Sequence, residues 1–207
     1  MAAKSDGAAT LDQAAVAQVV ANWAAWRDRP DWARLATCFH EDGTIAVSWY
    51  SGSHERFIAE CQGMGREARP GESTRHFFGL PWTEAAGDRA VAETPAVVQI
   101  RARVDGTEVD IHSWLRFTDF MERRQGVWRI ARRVGIYDKD RMDPVAPDAG
   151  FAERYRAIDF AGLPATARHL CWFLASRGRT ISKTIVEAKT PAEVALRGDA
   201  AAWLTAA

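Results

Sequence analysis

Apolar residues near the start of the chain recur every three or four positions, which is the period of a helix with one buried face. This stripe runs from Leu11 to Trp26. A shorter apolar set follows Pro30, a residue that suits a first helical turn, and another lies between Ser53 and Met64. The pattern therefore predicts three helices, over about 11–27, 30–39 and 54–64.

From Ser73 onward the residue types change to those of strands. Residues typical of hairpin turns separate the β-rich segments 73–80, 89–104, 109–124 and 127–137. A further strand is expected at 44–50. The two central segments are longer than an ordinary strand, so the sheet must bend strongly. We therefore expect an α+β fold in which a cone-shaped, strongly curved antiparallel sheet wraps around the N-terminal helices and leaves a cavity.

Charged residues and prolines follow Tyr137, and they indicate that the chain leaves the sheet there. Later patterns predict helices over 151–160, 164–176 and, more weakly, 191–204. The expected organisation is a flexible leader (1–10), a cone domain (11–143) and a helical C-terminal extension (144–207).

Composition excludes several classes of partner. The 207 residues include 27 Lys and Arg and 27 Asp and Glu, so the chain has no excess of positive charge that would attract nucleic acid or an anionic membrane. No apolar run approaches a membrane span and the start does not resemble a signal peptide, so we expect a cytoplasmic protein. Cys38, Cys61 and Cys171 are too scattered for a metal motif and are expected to be buried thiols. No nucleotide loop or metal motif is present, and neither a cofactor nor a metal is expected.

Four short motifs occur in a recognisable order. They are Arg-Asp-x-x-Asp-Trp at 27–32, Phe-His-Glu-Asp-Gly at 39–43, Thr-Arg-His-Phe-Phe-Gly at 74–79 and Gly-Val-Trp-Arg-Ile at 126–130. With the element order around them, they resemble the SnoaL-like branch of the nuclear transport factor 2-like superfamily over residues 11–140. The closest-looking enzymes of that superfamily are small lyases: scytalone dehydratase, hexachlorocyclohexane dehydrochlorinase and the bile-acid dehydratase.

The resemblance implies a set of site residues. These lyases share a histidine inside the cone, paired in several members with an aspartate from the end of the first helix, and His76 and Asp28 fall at those positions. Arg133 falls at a pocket arginine of the dehydrochlorinase, although a shift of one residue would substitute Arg132. Tyr50, with Trp49 competing, is a possible counterpart of the tyrosines that hold a water in scytalone dehydratase.

Two further residues are candidates for substrate contact. Trp23 belongs to the buried stripe of the first helix and is a residue type that builds aromatic pocket walls. His112 lies on an alternating strand and could face the pocket as a second acid or base, or face outward.

Asp28 and His76 together would form a general base. The helix dipole disfavours a carboxylate at the end of a helix, so another group should hold Asp28 there. A buried carboxylate fixes the tautomer of a histidine, which can then remove a proton from carbon while a cation such as Arg133 stabilises negative charge. We therefore expect a cofactor-independent lyase, dehydratase or isomerase acting on a hydrophobic, ring-containing small molecule.

Other interpretations remain open from the sequence. His76 could be a core histidine that donates to a backbone carbonyl, with Asp28 paired to a nearby arginine. The domain could be a non-catalytic ligand-binding or assembly module, or the small subunit of a ring-hydroxylating oxygenase, because fold alone does not settle function.

An apolar set on one face of the sheet suggests self-association. Val98, Leu115 and Phe117 alternate with polar neighbours, and we expect them on the outer side of the sheet. A soluble protein seldom leaves such a face bare, so a homodimer or homotrimer is predicted.

Overall fold

The structure, a computed structural model, describes residues 6–67 and 69–206. Helices and strands follow one another as α1 (Asp6–Asp28), α2 (Trp32–Ala36), β1 (Phe39–Val47), β2 (Tyr50–Ser53), α3 (His54–Glu67), β3 (Ser73–Phe78), β4 (Trp82–Ala86), β5 (Arg89–Val104), β6 (Thr107–Arg124), β7 (Val127–Pro144), α4 (Phe151–Arg156), α5 (Arg168–Ser176), β8 (Val186–Glu187) and α6 (Pro191–Thr205). The predicted α+β class and the curved sheet around N-terminal helices are confirmed.

One sheet of eight strands organises the fold. Its order is β2-β1-β7-β6-β5-β3, with β4 also paired to β5 and β8 to β7. Pairing is antiparallel except at β1–β7 and β7–β8. Strands β5, β6 and β7 are the longest, and the β6–β7 pairing contains two register shifts, which increase the local bend of a sheet.

The helices α1 and α3 pack against one face of this sheet, which we call the inner face. Their apolar stripes join inward-facing strand residues in one large core that includes Val16, Val20, Trp23, Phe57 and Ile111. Cys38, Cys61 and Cys171 are all free and buried, as predicted. Burial of this much apolar surface is what holds α1 within the curve of the sheet.

The C-terminal segment covers both faces of the sheet. Helix α5 packs on the inner side, where Leu170, Phe173 and Leu174 join the main core. Helix α6 packs on the opposite, outer face, where Leu196 belongs to a second small core with Phe120. The prediction of helices in this segment is therefore correct, and the structure adds where each one lies.

Several predicted boundaries were wrong. Helix α1 begins at Asp6, so residues 6–10 of the expected leader are helical, and residues 1–5 lie outside the described residues. Helix α2 begins at Trp32 because the Asp31 side chain caps it, accepting a hydrogen bond from the Arg34 amide at 3.2 Å. The motif at 39–43 is part of β1, which therefore begins five residues before the predicted strand, and the pairing with β7 shifts register there.

Four strands were also misjudged. Strands β2, β4 and β8 were not predicted, and β7 continues past Tyr137 to Pro144, where we expected the chain to leave the sheet. The charged residues beyond Tyr137 fit a strand because their alternate side chains lie on its two faces.

The face assigned to Leu115 and Phe117 was wrong. Each is 2% exposed, and both belong to the inner core with Val98 packed against it. The apolar face on which a homodimer or homotrimer was predicted is thus the inner one, and the oligomeric state stays a prediction.

Across the residues that the structure describes, we find no helix with the length and apolar character needed to span a bilayer.

Candidate active site

A cavity of about 670 Å³ lies between the inner face of the sheet and the helices α1, α3 and α5. Its volume is within the range of roughly 300–1,000 Å³ typical of small-molecule sites. Aromatic side chains form much of its wall: Trp23, Trp32, Trp49, Phe57, Phe117 and Phe173. The cavity is therefore suited to an apolar or aromatic ligand.

Asp28 and His76 meet at the wall of this cavity. Asp28 is the last residue of α1, and His76 lies on β3 beside Val98 of β5. The main-chain amide of His76 donates to Asp28 Oδ2 at 2.7 Å, and its ring Nδ1 donates to Oδ1, also at 2.7 Å. A carboxylate only accepts hydrogen bonds, so this contact fixes the tautomer with the proton on Nδ1.

The second ring nitrogen of His76, Nε2, has no hydrogen-bond partner among the described residues. The side chain is 11% exposed, and Trp23 packs edge-on against the ring with centroids 6.1 Å apart. The imidazole is thus held by protein on one side, and Nε2 is available to a ligand.

Burial decides the protonation of this pair. Desolvation lowers the pKa of His76 below its ordinary value of 6.5, against the opposing effect of the hydrogen bond to Asp28. Burial alone would raise the pKa of Asp28, but its hydrogen bonds from His76 outweigh that effect and the pKa lies below 3.8. At neutral pH the site therefore holds a carboxylate beside a neutral imidazole, which is the state that a general base requires.

Arg133 was expected in the pocket, but it lies behind the wall. It is fully buried, and its Nε and Nη2 donate to the two Asp119 oxygens at 2.6 and 2.7 Å. The guanidinium lies 4.3 Å from the Trp23 ring centroid and 4.8 Å from that of Phe117. Those two rings line the cavity and Arg133 does not, so its inward face was predicted correctly but not its depth.

Only one of the three residues predicted to contact substrate lies at the cavity wall. Trp23 lines the cavity, whereas Tyr50 does not: its hydroxyl donates to the Ser53 carbonyl at 2.9 Å, and the neighbouring Trp49 takes the place at the wall. His112 lies in a separate cleft, where it stacks on Trp114. Tyr50 and His112 are therefore not brought to Asp28 and His76. Arg132, the alternative to Arg133, bonds to Asp199 of α6 on the outer side.

Sequence reasoning missed several polar residues of the cavity wall, among them Tyr137 and Arg27. Tyr137 lies four residues after Arg133 on the same strand, so alternation along β7 was a signal for it. Its hydroxyl accepts a hydrogen bond from the Ser48 amide at 2.8 Å, and burial raises the pKa of the phenol to about 12. Arg27 also lines the cavity, and its position next to Asp28 was the only sequence signal.

Comparisons with known proteins agree with this architecture. A family model described as a SnoaL-like domain matches residues 8–134. A PEP2-like protein from Fusarium vanettenii is 28% identical over 171 residues, which is 79% of this chain and 69% of that protein. The chain spans only 59% and 60% of the length of two further relatives.

Solved structures show the same fold. A protein from Novosphingobium aromaticivorans, provisionally named a scytalone dehydratase, superimposes with a TM-score of 0.55 at 14% identity, covering 67% of this chain and 96% of that one. A hexachlorocyclohexane dehydrochlorinase from Novosphingobium barchaimii gives a TM-score of 0.55 at 19% identity, covering 70% and 96%. At such identities the similarity establishes a shared fold.

The chain belongs to the SnoaL-like domain family, as the four motifs had indicated. Its α+β architecture is the fold of a solved structure described as NTF2-like.

Proposed function

We propose that this chain is a cofactor-independent lyase, a dehydratase or a related isomerase, acting on a hydrophobic, ring-containing small molecule. The observation that carries the proposal is the imidazole of His76, which is anchored through Nδ1 to Asp28 at 2.7 Å and has Nε2 without a described protein partner at the wall of an aromatic cavity. Structural relatives named as a dehydratase and a dehydrochlorinase support the same class of reaction.

The chemistry follows from the two nitrogens of His76. Nε2 removes a proton from a carbon next to an electron-withdrawing group, and the electron pair of the broken C–H bond forms a C=C bond as the leaving group departs with its own pair. The Asp28 carboxylate stabilises the resulting imidazolium through Nδ1. In an isomerisation the same nitrogen returns the proton to a different carbon.

Tyr137 supplies a hydrogen-bond donor in this proposal. Its hydroxyl oxygen accepts from the Ser48 amide, and the Ser48 side chain also hydrogen-bonds to the phenol. A raised pKa keeps the phenol protonated at neutral pH, so it can donate to a substrate oxygen on which negative charge develops.

Substitution of the pair tests the proposal on a substrate found by screening. Cyclic and aromatic β-hydroxy ketones and halides would be incubated with the protein in D₂O, and NMR would follow both elimination and exchange of the carbon-bound proton. On any compound that turns over, His76→Ala and Asp28→Asn should lower kcat by ~10²–10⁴-fold, the range for general-base assistance.

His112→Ala is the matched control, since it removes a histidine from the separate cleft and should leave turnover unchanged. Full activity in both His76→Ala and Asp28→Asn would show that the base is misassigned. If compounds bind without turnover, the non-catalytic ligand-binding alternative is favoured. Co-purification with a larger iron protein would instead favour the oxygenase subunit.

A further inference from the structure

Arg27 presents a guanidinium to the cavity that forms no ion pair with a described carboxylate. It lies in the last turn of α1, and its guanidinium stacks over Trp32 with its central carbon 5.7 Å from the ring centroid. Its Nε is buried without a hydrogen-bond partner, and no carboxylate in the described part of the chain forms an ion pair with it. The neighbouring Asp28 is close enough for the charge of Arg27 to help lower its pKa, but both of its oxygens bond to His76. A half-buried guanidinium without a hydrogen-bonded carboxylate is costly, which indicates that a ligand supplies one.

Arg27 is also close to the proposed base. Besides burial and the hydrogen bond to Asp28, the charge of Arg27 contributes to the lowered pKa of His76, and its effect is larger than that of Arg133. Successive helical residues point about 100° apart. Asp28 can therefore bond to β3 while Arg27 contacts Trp32 and the Cys61 thiol on α3.

The rest of the cavity has the same sign of charge. Among the described lining residues, two carboxylates, Asp28 and Glu72, face six arginines: Arg27, Arg69, Arg75, Arg101, Arg177 and Arg179. Three of these arginines pair with Asp110, Glu72 and Glu60. The chain as a whole has a net charge of zero, so this excess is local to the cavity.

We propose that Arg27 binds a carboxylate of the ligand, so that the substrate is a ring compound bearing an acidic group, held with its reacting carbon toward His76 Nε2. This inference rests on the proposed function for the reacting carbon, but the binding of the carboxylate does not depend on turnover. Arg27 thereby supplies the cation that sequence reasoning assigned to Arg133. A guanidinium suits this role because its planar fork matches a carboxylate with two parallel hydrogen bonds.

Two probes of nearly the same shape distinguish recognition of the carboxylate charge from binding of the aromatic ring. Fluorescence of the cavity tryptophans would measure Kd for 2-naphthoate and for its neutral amide, 2-naphthamide. The wild-type chain should bind the carboxylate more tightly. Arg27→Gln should weaken naphthoate binding by ~10- to 100-fold, the worth of a charge-assisted hydrogen bond, and leave naphthamide binding unchanged.

Arg29→Gln is the matched control, because it removes the same charge two residues away at an exposed position outside the cavity wall and should bind both probes as wild type does. Arg27→Lys keeps a cation and should retain part of the preference for naphthoate. No described carboxylate hydrogen-bonds to Arg27, and Asp28 keeps both hydrogen bonds to His76, so thermal unfolding of the Gln variant should stay close to wild type.

The inference is overturned if wild type shows no preference for naphthoate, including by binding neither probe, or if Arg27→Gln retains that preference. His76→Ala should still bind naphthoate, which distinguishes the two proposals. If Arg27→Gln loses the preference for naphthoate but His76→Ala keeps full turnover, only the assignment of His76 as the base is contradicted. If His76→Ala loses turnover but the wild-type chain shows no preference for naphthoate, only the proposed role of Arg27 is contradicted.

Discussion

Asp28 accepts hydrogen bonds from both the amide and the ring of His76, and this double contact fixes the geometry of the pair. The hydrogen bond from the main-chain amide fixes the position of the carboxylate relative to β3. The hydrogen bond from the ring then leaves one orientation for the imidazole. These bonds also explain why a carboxylate lies at the last residue of α1, where the helix dipole opposes it. The pair joins the end of a helix to a strand and fixes the base at one point of the cavity wall.

Arg133 has a structural role at the same scale. Its pairing with Asp119 is fully buried, so water cannot compensate either charge if the other is removed. Asp119→Asn should therefore lower the free energy of unfolding by ~3–5 kcal/mol, measured by urea denaturation.

Asp110→Asn gives the comparison for that prediction. Asp110 lies on the same strand and makes the same two-bond contact with an arginine, but its side chain is 31% exposed. Solvent can replace its partner, so the loss should be much smaller. Equal losses in the two variants would contradict a structural role for the buried pair.

The sequence allowed some of these residues to be placed and not others. Asp28 and His76 could be paired because their motifs resemble a known family. The same resemblance indicated that Arg133 points inward, but it carries no information on depth, and the rings of Trp23 and Phe117 lie between Arg133 and the cavity. Depth depends on packing between elements that are distant in sequence.

At the scale of elements, α5 is fastened to the sheet by a second histidine–aspartate pair. Asp140 of β7 accepts hydrogen bonds from the His169 amide and ring Nδ1, both at 2.7 Å, and from the Leu170 amide at 2.9 Å. His169 Nε2 bonds to the Tyr155 hydroxyl, and the side chains of His169 and Asp140 are both buried. This contact holds the start of α5, whose apolar residues line the cavity.

Removing that carboxylate should loosen α5. Asp140→Ala leaves two buried amides without an acceptor, so amide hydrogens of α5 should exchange ~10- to 100-fold faster while those of β6 keep their protection. The control is Asp138→Ala, two residues earlier on β7, because Asp138 bonds to Arg116 instead. Unchanged exchange in α5 of the Asp140→Ala variant would show that the apolar contacts alone hold the helix.

The number of helices and the hairpins between the long strands were predictable from periodicity and turn residues, and the ends of elements were less so. Strand β5 has the predicted bounds of Arg89–Val104, since hairpin residues define both of its ends. Strand β7 runs seven residues beyond the predicted end because pairing with β6 continues to Pro144. Such pairing is a long-range property, and local residue types do not reveal it.

At the scale of the whole molecule, the C-terminal segment encloses the sheet. Helix α5 lies over the cavity on the inner face, and α6 lies on the outer face, where Glu193 binds Arg116 and Arg132 binds Asp199. Sequence reasoning predicted the helices of this segment but placed the exposed apolar surface on the wrong side. The homodimer or homotrimer that we expected remains a prediction, and it now requires a different contact surface.

The central claim is that the folded molecule holds His76 neutral, with its proton on Nδ1, inside the cavity. Nitrogen-15 NMR of the imidazoles tests it directly, with His76 assigned by the signal missing from His76→Ala. The account predicts Nδ1 protonated and Nε2 unprotonated at pH 7, with a titration midpoint below 6.5, because burial lowers the pKa of His76. The unfolded chain would then take up that proton first as the pH falls, so protonation of His76 would oppose folding. A midpoint at or above 6.5, or a proton on Nε2 at pH 7, would contradict the account.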